Sequence, residues 1–259
     1  MKLAILALNL TALAFAQLED KSTEHRSYSG VMQLEIDNIN GFVEVTGGNG
    51  NTVEADVART LRADSRDGLE RARKDVRLEI SQSSGLLRMK VDRPLQDSWR
   101  DYQINYDFTV RVPRKIRLDL HSVNGRVSTD STAGDFTVRT TNGRIDLTNV
   151  EGSGSASTVN GSLKAIFTRN PSAASSFKSV NGTLDVTFRP DLNADLTTST
   201  LHGGVYTDFP VTGLPIAADR QSGRQVWRGG RMSRVRVGRG GPEMRFETVN
   251  GRILIRNRG

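Results

Sequence analysis

The chain contains no cysteine in 259 residues. That absence excludes disulfides, thiol catalysis, iron–sulfur clusters, cysteine-ligated zinc and a lipid anchor on cysteine. An exported chain of about 240 residues does not need disulfides, because it buries enough surface without covalent staples. Histidine is scarce too. His25, His121 and His202 are the only three, and none has a second histidine or a carboxylate at metal-ligand spacing, so no metal is expected. Also missing are the Gly-x-Ser-x-Gly elbow, the Walker loop, the Rossmann fingerprint and the Gly-Gly-x-Gly-x-Asp core of calcium-binding nonapeptide repeats. The sequence therefore points to no cofactor and no enzyme.

Long apolar runs are missing beyond the first 16 residues. Met1-Lys2 is a short basic start, 3–15 is mostly apolar, and Ala14-Phe15-Ala16 gives a small-x-small cleavage pattern before Gln17. The run is too short to span a bilayer and reads as a removable secretory signal over 1–16. The expected location is therefore the periplasm, the cell surface or the medium, with no membrane-spanning segment.

Acidic charge is missing from one region. From Asp219 to the end, eleven arginines face Asp219, Glu243 and Glu247, a net of +8 in a chain whose total is +7. The other 218 residues sum to about −1, so the basic character belongs to the C-terminal stretch.

What the chain does have is a repeated phrase. SVNGRV begins at Ser122, TTNGRI at Thr140, TVNGSL at Thr158, SVNGTL at Ser179 and TVNGRI at Thr248. A degenerate TLHGGV begins at Thr200 and a looser NINGFV at Asn38. The turn positions are thus Asn40-Gly41, Asn124-Gly125, Asn142-Gly143, Asn160-Gly161, Asn181-Gly182 and Asn250-Gly251, with His202 taking the Asn place. Steps of 18 and 21 residues from Asn124 to His202 are the signature of a stacked architecture. Each unit has room for two strands and two tight turns.

Asn-Gly between alternating runs is also a strong hairpin signal, so an antiparallel meander is the competing reading. Columns obtained by aligning copies on Asn favour stacking. Two places before Asn lie Ser122, Thr140, Thr158, Ser179, Thr200 and Thr248, and three places after it lie Val127, Ile145, Leu163, Leu184, Val205 and Ile253. Like residues about 4.8 Å apart form ladders, whereas a meander gains nothing from column identity. Gly is expected to supply positive φ at the turn, and Asn to tolerate the neighbouring strained position.

The expected fold is all-β: a flattened parallel β-solenoid with about two strands per 18–21-residue rung, preceded by a mostly β region with one short helix. The segments are the signal at 1–16, a polar lead-in at 17–30, an N-terminal β region at 31–103 with a helix near 64–76, and repeats over 104–259. An Arg/Gly-rich insertion at 209–241 interrupts the repeats. Leu69, Ala72 and Val76 share one face of the helix, with Asp64 or Ser65 as cap. Residues 232–237 alternate and are expected to form an edge strand, whose arginines would discourage aggregation.

The insertion supplies the best candidate site. Arg224, Arg228, Arg231, Arg234, Arg236 and Arg239, with Trp227, suit bidentate binding of phosphate or carboxylate and stacking on flat ligands. The alternative is a solvated loop guarding the end of the stack. Asp146 and Asp185 share an outward column with Lys164 between them, which suits a solvated face better than a catalytic carboxylate pair. His202 reads as a turn variant. Trp99, Tyr102 and Tyr106 form a weaker aromatic cluster that suits core packing or a sugar platform.

A strand ending Phe108-Thr109-Val110-Arg111-Val112-Pro113, serial Val-Asn-Gly units and a closing TVNGRILI resemble bacterial exported β-strand-repeat proteins, the family catalogued as putative adhesins. The similarity runs from about 31 to 256. It implies a non-enzymatic adhesin or scaffold of the envelope or surface and brings no catalytic residues. The partners in view are an anionic glycan, lipopolysaccharide or envelope lipid, or an envelope protein; nucleic acid is not expected. A periplasmic partner in envelope-stress signalling and a polysaccharide-degrading solenoid enzyme are the alternatives.

Overall fold

A computed structural model describes residues 18–92, 102–213 and 232–258; the expected signal segment lies outside them. The described chain is all-β apart from one helix. The N-terminal part holds β1 (Leu18–Ser29), β2 (Gln33–Asn40), β3 (Val43–Gly48), β4 (Thr52–Ala63), α1 (Arg66–Asp75), β5 (Arg77–Ser83), β6 (Leu86–Asp92) and β7 (Tyr102–Pro113). Each repeat then gives a strand ending at Asn and a second strand after Gly. These pairs are β8 (Arg117–Asn124) and β9 (Val127–Asp130), β10 (Phe136–Asn142) and β11 (Ile145–Val150), β12 (Gly154–Asn160) and β13 (Leu163–Phe167), and β14 (Ser175–Asn181) and β15 (Leu184–Phe188). Next come β16 (Ala194–His202) and β17 (Val205–Thr207), then β18 (Val211–Gly213) and β19 (Met232–Val237), and last β20 (Glu243–Asn250) and β21 (Ile253–Asn257).

Two open sheets result. One runs β1-β4-β7-β3-β9-β11-β13-β15-β21-β17, the other β18-β19-β16-β20-β14-β12-β10-β8-β2-β6-β5. Strict alternation explains their pairing face to face: in β8, Leu118, Leu120 and Ser122 are buried while their neighbours face outward. Phe167 and Phe188 of the first sheet stack at 5.1 Å, Phe177 and Phe246 of the second at 5.3 Å, and Phe167 meets Phe177 edge-on at 6.0 Å. Aromatic pairs at these distances add to the area they bury.

The repeat strands pair in parallel with the columns in register. Asn124, Asn142 and Asn160 are direct neighbours, as are Ser122, Thr140 and Thr158. The glycine at each corner has a role other than the one expected. Only Gly41 of the corner glycines has positive φ, at 111°. At Gly125 a Cβ would overlap the Gly41 carbonyl oxygen, and the Gly125 N–H donates to the Asn142 carbonyl at 3.0 Å. The corners therefore need glycine because rungs touch backbone to backbone, not because of handedness.

Asparagine side chains continue that contact. Asn124 donates to Asn40 at 2.8 Å, Asn142 to Asn124 at 2.9 Å, Asn160 to Asn142 at 2.8 Å, Asn181 to Asn160 at 2.8 Å and Asn250 to Asn181 at 2.7 Å. The hydroxyl column bonds across rungs too: Thr158 Oγ1 donates to the Gly143 carbonyl at 2.9 Å and Ser179 Oγ to that of Gly161 at 3.0 Å. Stacked polar side chains thus satisfy one another inside the corner.

Three features differ from expectation. First, the stack does not follow chain order, because β20 lies between β14 and β16, so Asn250 neighbours both Asn181 and His202. The degenerate TLHGGV copy is the end rung, and the well-matched closing copy fills the gap. Second, the polar lead-in is the 12-residue edge strand β1, antiparallel to β4. It is exposed along most of its length, so no apolar alternation marks it; ion pairs such as Arg62–Glu19 at 2.8 Å and Arg73–Asp20 at 3.0 Å hold it. Third, β19 is not the edge strand, since β18 pairs with its outer side.

Helix α1 starts at Ser65, whose Oγ accepts the Gly68 N–H at 3.0 Å, and it buries Gly68 and Ala72. Both sheets cross residue 104 without a break: β2 pairs with β8 and β3 with β9, which puts Asn40 in the same ladder as Asn124.

Candidate functional site

Arg224, Trp227, Arg228 and Arg231 lie outside the described residues, as does Trp99. Arg234 and Arg236 project from β19 because Val235 and Val237 turn inward against the core. Arg236 is committed to the fold. Its Nε donates to Asp195 Oδ1 at 2.7 Å and its Nη2 to Oδ2 at 2.9 Å, a bidentate pair across β16 and β19. That hydrogen bonding holds the Asp195 carboxyl below the usual range. Arg234 stands opposite Thr197, whose hydroxyl donates to Glu243 at 3.0 Å. That bond, followed by one from Arg245, lowers the Glu243 carboxyl. Arg239 is placed by its backbone N–H, which donates to Asn193 Oδ1 at 2.8 Å. The described part of the arginine-rich stretch is thus a mosaic in which Asp195 and Glu243 stand among Arg234, Arg236 and Arg245.

Asp146, Lys164 and Asp185 lie on adjacent strands in that order. Arg144 Nε donates to Asp146 at 2.7 Å and Arg256 Nε to Asp185 at 2.8 Å, so each carboxylate already has a cation. His202 ends the amide ladder, with Nδ1 3.1 Å from Asn250 Oδ1. Because Asn250 presents its oxygen there and its NH2 to Asn181, Nδ1 carries the hydrogen and replaces an amide donor.

Tyr102 and Tyr106 line a cavity of ≈ 690 Å³ with Ile39, Asn40, Arg62 and Asn124. It forms where β7 runs past the start of β3. Asn38 Nδ2 donates to the Tyr106 carbonyl at 2.8 Å and Asn40 Nδ2 to that of Ile104 at 3.1 Å, which closes part of the free strand edge. Tyr106 is buried beside Phe108, its hydroxyl pushed up by desolvation, and Tyr102 donates to Asp75 at 3.0 Å. These rings are wall and core, not a flat platform.

One outward column went unread in the sequence. The residue just before each Asn faces solvent: Val123, Val159, Val180 and Val249 are 38–42% exposed and Leu201 60%. In stacking order the column runs Ile39, Val123, Thr141, Val159, Val180, Val249, Leu201. The signal was available, since buried residues two and four places before Asn force the intervening ones outward.

No family model matches the chain, and no curated protein does. Among solved structures, it is similar to a putative cell adhesion protein from Clostridium sporogenes: 11% identity, TM-score 0.45, covering 92% of this chain and 100% of that one. A putative adhesin from Bacteroides fragilis gives 12%, 0.37, 91% and 97% respectively. A putative lipid binding protein from Parabacteroides distasonis gives 9%, 0.29, 91% and 96%.

Proposed function

We propose that the chain is an exported, non-enzymatic adhesin or scaffold of the cell envelope or surface, built as a parallel β-solenoid. The observation that carries this reading is the unbroken side-chain ladder from Asn40 to His202 in register with the parallel strands. Such a ladder commits the repeated polar groups to holding rungs together. The product is a stiff body of seven rungs, roughly 29 Å between its first and last corner at the inter-strand spacing. The other outward columns are left free of that role, so recognition falls to surfaces and not to a reactive cluster. In this reading the arginine-rich stretch offers an anionic contact through Arg234 and Arg239, while Arg236 remains tied to Asp195.

The test is binding of the chain from Gln17 onward to glycan and lipid arrays at low and high salt. Binding to anionic members that weakens with salt and with Arg234→Gln plus Arg239→Gln is the expected result. Cleavage of any arrayed glycan, or silence across both arrays, would overturn the reading.

A further inference from the structure

The aliphatic column beside the asparagine ladder is unusual for its position. Sheets normally place polar residues on an outward column, yet five of the seven positions here, Val123, Val159, Val180, Val249 and Leu201, are aliphatic and at least 38% exposed, while Thr141 interrupts the line and Ile39 packs partly buried against the core. The parallel register stacks them at about 4.8 Å intervals into one straight stripe. Contiguous exposed apolar stripes mark interaction sites, whereas scattered ones do not.

The flanks define the partner. Two places after each Asn stand Arg126, Arg144 and Arg252, all exposed, and two places before the stripe stand Arg139 and Lys178. The acids in those columns are Asp37 and Glu247, and Glu247 is already engaged by Lys178 at 2.8 Å. Arg144 is held by Asp146 at 2.7 Å. The stripe is therefore an apolar line with one basic margin, carrying Arg126, Arg144 and Arg252, and one balanced margin, in which Asp37 and Glu247 offset Arg139 and Lys178.

We propose that this corner is a docking strip for an anionic lipid surface, with the aliphatic side chains entering the interface and the arginines meeting headgroup phosphates. An apolar line with a cationic border beside it is the combination an interfacial site uses. A second copy of the chain fits less well, since neither of its margins is net acidic and able to meet Arg126, Arg144 and Arg252. An anionic glycan would use the arginines but gains little from valine, and the stripe carries no aromatic ring on which a sugar could stack. No residue of the strip belongs to the 209–241 insertion, so it stands whether or not Arg234 and Arg239 bind anions.

The test is sedimentation of the chain from Gln17 onward with vesicles of phosphatidylcholine alone or mixed with phosphatidylglycerol, at low salt. Binding to the mixed vesicles only is expected. Val159→Ser with Val180→Ser and Val249→Ser should weaken it by about tenfold or more, and Arg126→Gln with Arg252→Gln by about fivefold per arginine. The thermal midpoint of the arginine variant should match wild type, and that of the serine variant should fall by only a few degrees, at about 0.5 kcal/mol per valine of this exposure. Three outcomes would overturn the strip. Wild type could ignore anionic vesicles, the serine variant could bind them undiminished, or the serine substitutions could convert a dimer to a monomer in gel filtration. A serine variant that loses vesicles but keeps soluble polygalacturonate would support lipid over glycan, while equal loss of both would sink the lipid assignment.

Discussion

The last copy of the repeat in the chain and the last copy in the stack are different copies, and their side chains differ accordingly. Strands β20 and β21 have a rung on each side: Ile253 is fully buried, Phe246 stacks on Phe177, and Asn250 bonds to both Asn181 and His202. The end rung, β16 and β17, has one neighbour. There Thr198 replaces Phe, His202 replaces Asn, and Val205 and Tyr206 are 38% and 56% exposed. A position that must fit two neighbours is held to the repeat, and one that must fit a single neighbour is released from it. The end rung carries a different burden, the open sheet edge. In one sheet β19 and β18 cover it, and in the other it is only three residues long.

The largest expected difference lies in the column three places after Asn. Ile253→Ala should cost about 2–5 kcal/mol in urea unfolding, through lost transfer energy and an unfilled cavity. Val205→Ala, in the same column on the end rung, should stay near 0.5 kcal/mol because much of its surface is already wet. Equal losses would mean that the end rung is as constrained as the interior.

The amide ladder offers a smaller contrast. Asn160 donates to Asn142 and accepts from Asn181, so Asn160→Ala removes two hydrogen bonds and leaves a partner on either side unpaired. A loss of about 1–2 kcal/mol is expected. His202 makes one such bond at the exposed end, and His202→Ala should cost less than about 1 kcal/mol. A larger loss at His202 than at Asn160 would break the comparison.

The columns were legible because period-two burial and the Asn-Gly phrase point the same way: Leu120, Ser122 and Val127 declare their faces locally. Stacking order was not, since sequence distance does not carry it. The better match of TVNGRI to its neighbours, with Phe246 ready for Phe177, was the one available hint. Strand β1 was hidden because an edge strand exposed along its length reads like a polar linker. The corner glycines were recognised for the wrong reason, as close approach and positive φ both call for glycine. Asn38, which stands in the hydroxyl column and reaches across to β7, gave no sequence signal at all. Of the expected anion site, Arg234 and Arg236 could be read as outward by alternation, but the Asp195 partner lies 41 residues away and was not foreseeable.

The smallest effect separates the two rungs by pH. Asp195 sits on the end rung, its carboxyl lowered first by the Arg236 hydrogen bond and then by the charges of Arg236 and Arg234. A carboxyl whose folded pKa lies below its unfolded value, about 3.9, stabilises the fold above that pH and loses the contribution as pH falls through the folded pKa. Asp195→Asn should therefore be less stable than wild type near neutral pH, with the gap closing as acid is added below about pH 4. The gap should also narrow in high salt, because the Arg236 side chain is 43% exposed. Asn160→Ala should behave otherwise. The ladder is built from neutral amides, so its penalty should hold across the same titration. An Asp195→Asn gap that persists unchanged into acid would mean that packing, not charge, holds β19 against the end rung.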